Sequence, residues 1–128
     1  MPRLSLLLDT SILVDFLRQR DKEKTRLYKL AAEHTDMGIS IITQAELYAG
    51  KGVWESKRAQ RELTALLSGL AVAPITEEIS RRAGQLRARS SVHLLDALIA
   101  ATALAYRIPL ATMNAKDFAA IRGLKLRS

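Results

Sequence analysis

The chain has 128 residues, with 20 Lys and Arg against 13 Asp and Glu, a formal net charge of +7 and no Cys. That length suits a single domain over residues 1–128 and is too short for two; the lack of Cys removes disulfides, thiolate zinc sites and thiol nucleophiles, and the two His do not make a zinc site on their own. A hydrophobic fraction of 48% supports a packed core, while the excess positive charge points to a polyanionic partner, nucleic acid foremost.

The apolar run at residues 4–8 reads as a strand buried on both faces, and it stops at Asp9, too early for a signal-peptide core. No stretch approaches membrane-spanning length, so the expected location is the cytoplasm with no membrane partner. Asp9-Thr10-Ser11 then carries helix-capping chemistry ahead of an apolar helical stretch. Residues 21–33 are charged, with Leu27, Leu30 and Ala31 at helical spacing, and predict one amphipathic surface helix. Residues 38–42 read as a second strand. Thr43-Gln44-Ala45-Glu46 has the form of a capping box and opens a helix ending near Gly50 or Gly52.

A helix over residues 54–67 is predicted next, with Trp54 and Tyr48 as packing residues. A short strand at 71–75 has Pro74 near its end, and a basic helix over 76–89 carries Glu77 and Glu78 in its first turn. Residues 94–105 are apolar almost all round, as in a helix packed in the middle of a structure. A strand at 109–112, a helical segment at 114–121 and an edge strand at 124–126 complete the chain. Short buried strands alternating with helices predict an α/β fold, with a short, mostly parallel sheet covered by helices on both faces.

Four acids do not fit a solvated or ion-paired surface role. Asp9, Glu46 and Asp117 each follow a strand, and ligands of open α/β sheets bind outside the carboxyl ends of the strands. Capping competes at these positions: Asp9 or Thr10 can cap the first helix, Thr43 pairs with Glu46, and Asn114 with Asp117. Asp96 is harder to place, because it interrupts the most apolar helix and has no Lys or Arg at i±3 or i±4. A buried, unpaired charge costs several kcal/mol, roughly 3–5 when a partner is lost, so it needs a partner from elsewhere, a metal ion or backbone amides. If Asp9, Glu46 and Asp96 converge without His or Cys, the fitting ion is a hard cation, Mg²⁺ or Mn²⁺ rather than Zn²⁺. Such an ion with a basic surface around it suits hydrolysis of a phosphodiester.

Four segments carry a family likeness: Leu7-Leu8-Asp9-Thr10-Ser11; Ser40-Ile41-Ile42-Thr43-Gln44-Ala45-Glu46-Leu47-Tyr48-Ala49-Gly50; Asp96-Ala97-Leu98-Ile99-Ala100-Ala101-Thr102-Ala103; and Leu110-Ala111-Thr112-Met113-Asn114-Ala115-Lys116-Asp117-Phe118. In this order within one short chain they resemble the PIN-domain ribonucleases of the VapC type. The resemblance implies a Mg²⁺-dependent endoribonuclease, the toxin of a type II toxin-antitoxin pair, restrained by a cognate VapB-like antitoxin and usually a homodimer. It matches Asp9, Glu46 and Asp96 to the acidic metal site, and Thr10 or Ser11 with Thr112 to small polar residues that orient it. One departure is Asn114, at a position that is often Asp in the family. Asn offers a carbonyl oxygen but no charge, which disfavours a second tightly held metal and leaves Asp117 as the nearby acid, ranked below the other three.

Arg18, Lys51, Arg87, Arg89 and Lys116 lie near motif ends, where contact with RNA phosphates competes with plain surface charge. His93, three residues before Asp96, is expected as a packed or capping residue, with a hydrogen bond to Asp96 or action on the leaving group as the alternative. Two other functions compete with the nuclease: a non-catalytic RNA-binding or adaptor protein on the same fold, and a phosphate-transfer enzyme with Asp9 as nucleophile. The second needs another acid beside Asp9, and Thr10-Ser11-Ile12 offers none.

Overall fold

A computed structural model of the chain describes residues 3–128. In order, the elements are β1 (Leu6–Leu8), α1 (Thr10–Arg18), a 3₁₀ turn at Lys22–Lys24, α2 (Arg26–Glu33), β2 (Met37–Ser40), α3 (Ile41–Tyr48), α4 (Lys51–Glu55), α5 (Lys57–Ser68), β3 (Ala71–Ala73), α6 (Glu77–Arg89), α7 (Leu94–Tyr106), β4 (Leu110–Ala111), α8 (Ala115–Phe118) and β5 (Leu126–Arg127). The strands form one sheet in the order β3-β2-β1-β4-β5, and every pairing is parallel.

Parallel sheets bury both faces, which is why the central strand β1 is an unbroken apolar run, and all three of its leucines are fully buried. Successive side chains point to opposite faces. Leu7 packs with Leu110, Ile79, Ile99 and Phe118, beneath α6, α7 and α8. Leu6 and Leu8 pack with Ile12, Leu13, Ile39 and Leu63, beneath α1 and α5. The chain builds β2 and β3 on one side of β1, then crosses to lay down β4 and β5 on the other. The connections leaving β1 and β4 therefore part in opposite directions, which opens a crevice at the carboxyl edge between them.

Several element boundaries differ from the sequence expectation, three of them because a hydroxyl competes for the backbone. The helix expected over 21–33 is broken at Thr25, whose buried hydroxyl accepts from Tyr28 N and donates to Lys22 O. The strand expected to reach residue 42 ends at Ser40, whose Oγ caps α3 by accepting from Ile42 N. The helix expected over 54–67 is divided at Ser56, which caps α5 through Ala59 N. Trp54 is consequently left on the short α4, 63% exposed, with Nε1 donating to Tyr48 O, and is not a core residue. The segment expected as helix over 114–121 is helical only through Phe118, and the last strand falls at Leu126–Arg127. Helix α7 matches its expected span, but its first turn is open to solvent, with Leu94 49% and Leu95 40% exposed.

Gly38 in β2 faces Leu7 of β1 and Ala71 of β3, and a Cβ there meets Ala71 O at 2.9 Å and Leu4 Cδ2 at 2.7 Å. Since a strand backbone oxygen on the adjacent chain cannot yield without shifting the ladder, Gly38→Ala is expected to destabilise the fold by about 1–3 kcal/mol. Urea unfolding checks this: the midpoint falls while the m-value holds, and an unchanged midpoint contradicts the close approach.

Candidate active site

Asp9 leaves the carboxyl end of β1 at the N-cap of α1, yet its side chain makes no capping bond. Its carboxylate is 4% exposed, and Oδ2 accepts two hydroxyl protons, from Ser11 Oγ at 2.8 Å and Thr112 Oγ1 at 2.8 Å. Each hydroxyl has one proton to give, and both accept a backbone N–H in turn: Ser11 from Met113 N at 3.0 Å, Thr112 from Asn114 N at 3.0 Å. The direction of every bond is thereby set. A carboxylate so held is fixed in orientation, with Oδ1 left for another partner.

Glu46 lies in α3 and is positioned by Thr10 at the start of α1. Thr10 Oγ1 donates to Glu46 Oε1 at 2.6 Å and lies 2.9 Å from Thr43 Oγ1. Because the single proton of Thr10 is on Glu46, Thr43 is the donor in the second bond. Thr43 and Glu46 therefore do not form the capping box expected from sequence; Ser40 caps the helix, and Thr43, fully buried, supports Glu46 through Thr10. Asn114 likewise makes no side-chain cap bond. The capping roles at Asp9, Thr43–Glu46 and Asn114 all give way.

Asp96 stands in the first turn of α7, among apolar neighbours. Its carboxyl is pushed above its ordinary value of 3.8, first by burial and then by the negative charges of Asp9, Asp117 and Glu46, with His93 pulling the other way. Asp96 thus lies within electrostatic reach of three acids from separate parts of the chain. Asp9, Glu46, Asp96 and Asn114 line one open cleft of about 590 Å³, together with Thr10, Ser11, Asp15 and Arg18. Asp117 is exposed and borders an adjoining hollow with His93 and Lys116, reached across Asp96. His93 is exposed and caps nothing, so it is neither packed nor a cap.

Sequence reasoning missed Thr43, because an S/T-x-x-E pattern reads equally as a cap and as two side chains on one helical face. Asp15 was missed too, although it follows Ser11 at i+4 on α1 and the same face continues to Arg18. Asp15 Oδ2 accepts from Arg26 N at 3.2 Å, tying the start of α2 to the cleft wall.

The donor set is oxygen only, and among the described residues the ion pairs are Arg58–Glu62 and Arg81–Glu77, neither of which touches these acids. Uncompensated carboxylates of this kind fit a hard cation. Among the described residues no three His, Cys, Asp or Glu side chains are already drawn to a common point at ligating distance. The acids share a cleft rather than a finished cage, an arrangement compatible with Mg²⁺, which keeps several waters and uses one or two carboxylates.

Because Asp96 holds its proton more tightly folded than unfolded, it contributes stability that is fully present below its unfolded value near 3.8 and lost as pH rises through its raised folded value. Asp96→Asn removes that loss. In EDTA the variant is expected to melt above the parent, with a gap that widens as pH climbs from about 4 toward neutrality; thermal melts across that range check it, and a variant melting lower at neutral pH refutes the cost of burying this charge among like charges.

The match to known proteins follows the same geometry. The PIN-domain family model matches residues 6–124. Ribonuclease VapC10 of Mycobacterium tuberculosis is 34% identical over 125 residues, covering 94% of this chain and 90% of that protein. A chain of the toxin-antitoxin complex from Klebsiella pneumoniae is 35% identical with a TM-score of 0.78, covering 97% of both chains. A chain of VapBC2 from Rickettsia felis, bound to a DNA fragment from its promoter, is 29% identical with a TM-score of 0.81, covering 97% of this chain and 98% of that one. Family model, sequence identity and overall fold agree, and the chain belongs to the PIN-domain family, among its VapC-type ribonucleases.

Proposed function

We propose that this protein is a Mg²⁺-dependent endoribonuclease, with Mn²⁺ as a substitute metal, and the toxin of a VapBC-type pair. The observation that carries the reading is the meeting of Asp9, Glu46 and Asp96 at one cleft with no Lys or Arg paired to any of them among the described residues. Support comes from the ribonuclease named among the relatives and from the toxin-antitoxin complexes among the structural neighbours. A VapB-like antitoxin is the expected inhibitor, the homodimer the expected assembly and the cytoplasm the expected location. Among the described residues no helix is long and apolar enough to cross a membrane.

Asp9 and Asp96 are the principal candidates to hold the metal. Glu46 joins them as a further ligand or as the group that orients the attacking water. When bound, the cation supplies positive charge for the phosphodiester oxygens and lowers the pKa of a water. The chain's own residues do the rest. Thr112 and Ser11 fix the Asp9 carboxylate on one oxygen, and Thr10, backed by Thr43, fixes Glu46. Arg18, on the cleft wall, offers a guanidinium to a phosphate, and Asn114 adds a neutral amide on the same wall. Asp117, on the far side of Asp96, acts on the site through its charge.

Cleavage of RNA by the purified chain is expected to require Mg²⁺ and to stop in EDTA. Asp9→Asn and Asp96→Asn are each expected to reduce it to background. Undiminished turnover in either variant removes the proposed site, whereas RNA binding without cation-dependent cleavage favours an adaptor. Thr112→Val deletes one donor to Asp9 while keeping its shape, and is expected to lower metal affinity or activity by about 10–100-fold, as outer-sphere changes do. A titration of activity against Mg²⁺ reads this: the half-saturating concentration rises, and an unchanged value and rate contradict the role given to Thr112.

A further inference from the structure

Three hollows meet end to end around the acids. The cleft of Asp9 and Glu46 shares Asp96 with the hollow of His93 and Lys116, and that hollow shares Ala120 with a third, of about 400 Å³. The third is lined by Arg82, Arg89 and Arg122, with Leu86 and Ile121 as its apolar part, and no Asp or Glu among the described residues lines it. Its charge is therefore of one sign, the opposite of the acid centre that lies across the middle hollow.

The arginines are placed by independent elements. Arg82 and Arg89 are seven residues apart on α6, which puts them on the same face about 10 Å apart along the helix axis. Arg122 comes from the turn after α8, anchored by the buried Phe118 and Ile121. Other arginines of α6 are engaged: Arg81 donates to Glu77 at 2.7 Å and Arg87 to Val92 O at 3.4 Å. Arg82 and Arg89 have no such partner among the described residues. A guanidinium suits bidentate contact with a phosphate, and a spacing of two helical turns lets two of them hold different phosphates of one strand instead of competing for a single small anion.

We propose that this arginine hollow is an exosite for the ribose-phosphate backbone of the RNA substrate, holding strand that lies beyond the nucleotides at the acid centre. The strand runs from Arg18 on one side, past Asp9, Glu46 and Asp96, over Lys116, and into the hollow of Arg82, Arg89 and Arg122. The proposal rests on the ribonuclease reading for its substrate but can be measured apart from it. Phosphates on either flank find positive charge, and only the reacting group meets the carboxylates and their cation.

The test compares two doubly substituted proteins that each lose two positive charges: Arg82→Gln with Arg89→Gln in the hollow, and Lys57→Gln with Arg61→Gln on α5. Anisotropy of a long fluorescein-labelled single-stranded RNA is followed in EDTA over a range of KCl. The hollow variant is expected to show a salt slope shallower by roughly 1.4, two phosphate contacts at about 0.7 each, and the α5 variant little change. In Mg²⁺, the ratio of kcat/KM on long RNA to that on a short oligonucleotide spanning only the acid centre is expected to fall in the hollow variant alone. Equal behaviour of the two variants in the binding experiment overturns the exosite, since net charge then suffices. If wild-type protein binds RNA with the hollow-dependent slope but cuts none, the ribonuclease reading fails and the exosite stands; if it cuts RNA and the variants match, the reverse holds.

Discussion

The structure turns on a repulsion that it does not relieve. Asp9, Glu46 and Asp96, with Asp117 close behind, bring negative charge to one partly buried rim, and burial, reinforced by that charge, holds the Asp96 carboxyl above its ordinary value. Elsewhere a fold would avoid this by pairing each acid with Lys or Arg, and with 20 such residues in the chain there was no shortage of partners. Instead Asp9 and Glu46 are oriented by hydroxyls, which hold a carboxylate in place without neutralising it. A site left negative in a positive protein remains open to a cation, and strain of this sort is characteristic of positions kept for chemistry rather than stability.

The hydroxyl arrangement in turn depends on the sheet. Asp9 and Thr112 meet because β1 and β4 are adjacent, although 103 residues separate them in sequence. Thr10 reaches Glu46 because β2 lies on the other side of β1, so that α3 springs from the same edge. The central position of β1 is secured by its three buried leucines, and the same burial that fixes the strand fixes the place where Asp9 emerges. Helix α7 carries Asp96 to this edge from the other side; beyond its open first turn it packs chiefly against α6, with buried alanines small enough for close approach.

Charge is segregated as well as plentiful. The acids occupy the crevice, and the unpaired arginines of α6 and of the turn after α8 line the neighbouring hollow. A polyanion laid along this surface is attracted on its flanks and repelled at its centre unless a cation is present there, so binding and reaction place different demands on neighbouring residues of one rim.

The α/β class, a buried strand within residues 4–8, the apolar helix expected over 94–105 and the four acids Asp9, Glu46, Asp96 and Asp117 were legible in the sequence, because hydrophobic periodicity and the oddness of Asp96 in an apolar helix are local properties. The positions of Ser40, Ser56 and Thr25 as caps were not, since several hydroxyls in each stretch compete for the same backbone amides and only the packed neighbours decide among them. For the same reason the sequence left Asp9, Glu46 and Asn114 divided between capping and function. Local spacing permits both, and it took contacts across β1, between Thr10 and Glu46 and between Thr112 and Asp9, to show that these side chains are not spent on caps. What the residues alone determined is which groups carry charge and which faces are apolar; which of those groups meet depends on strand order, a long-range choice that no local pattern records.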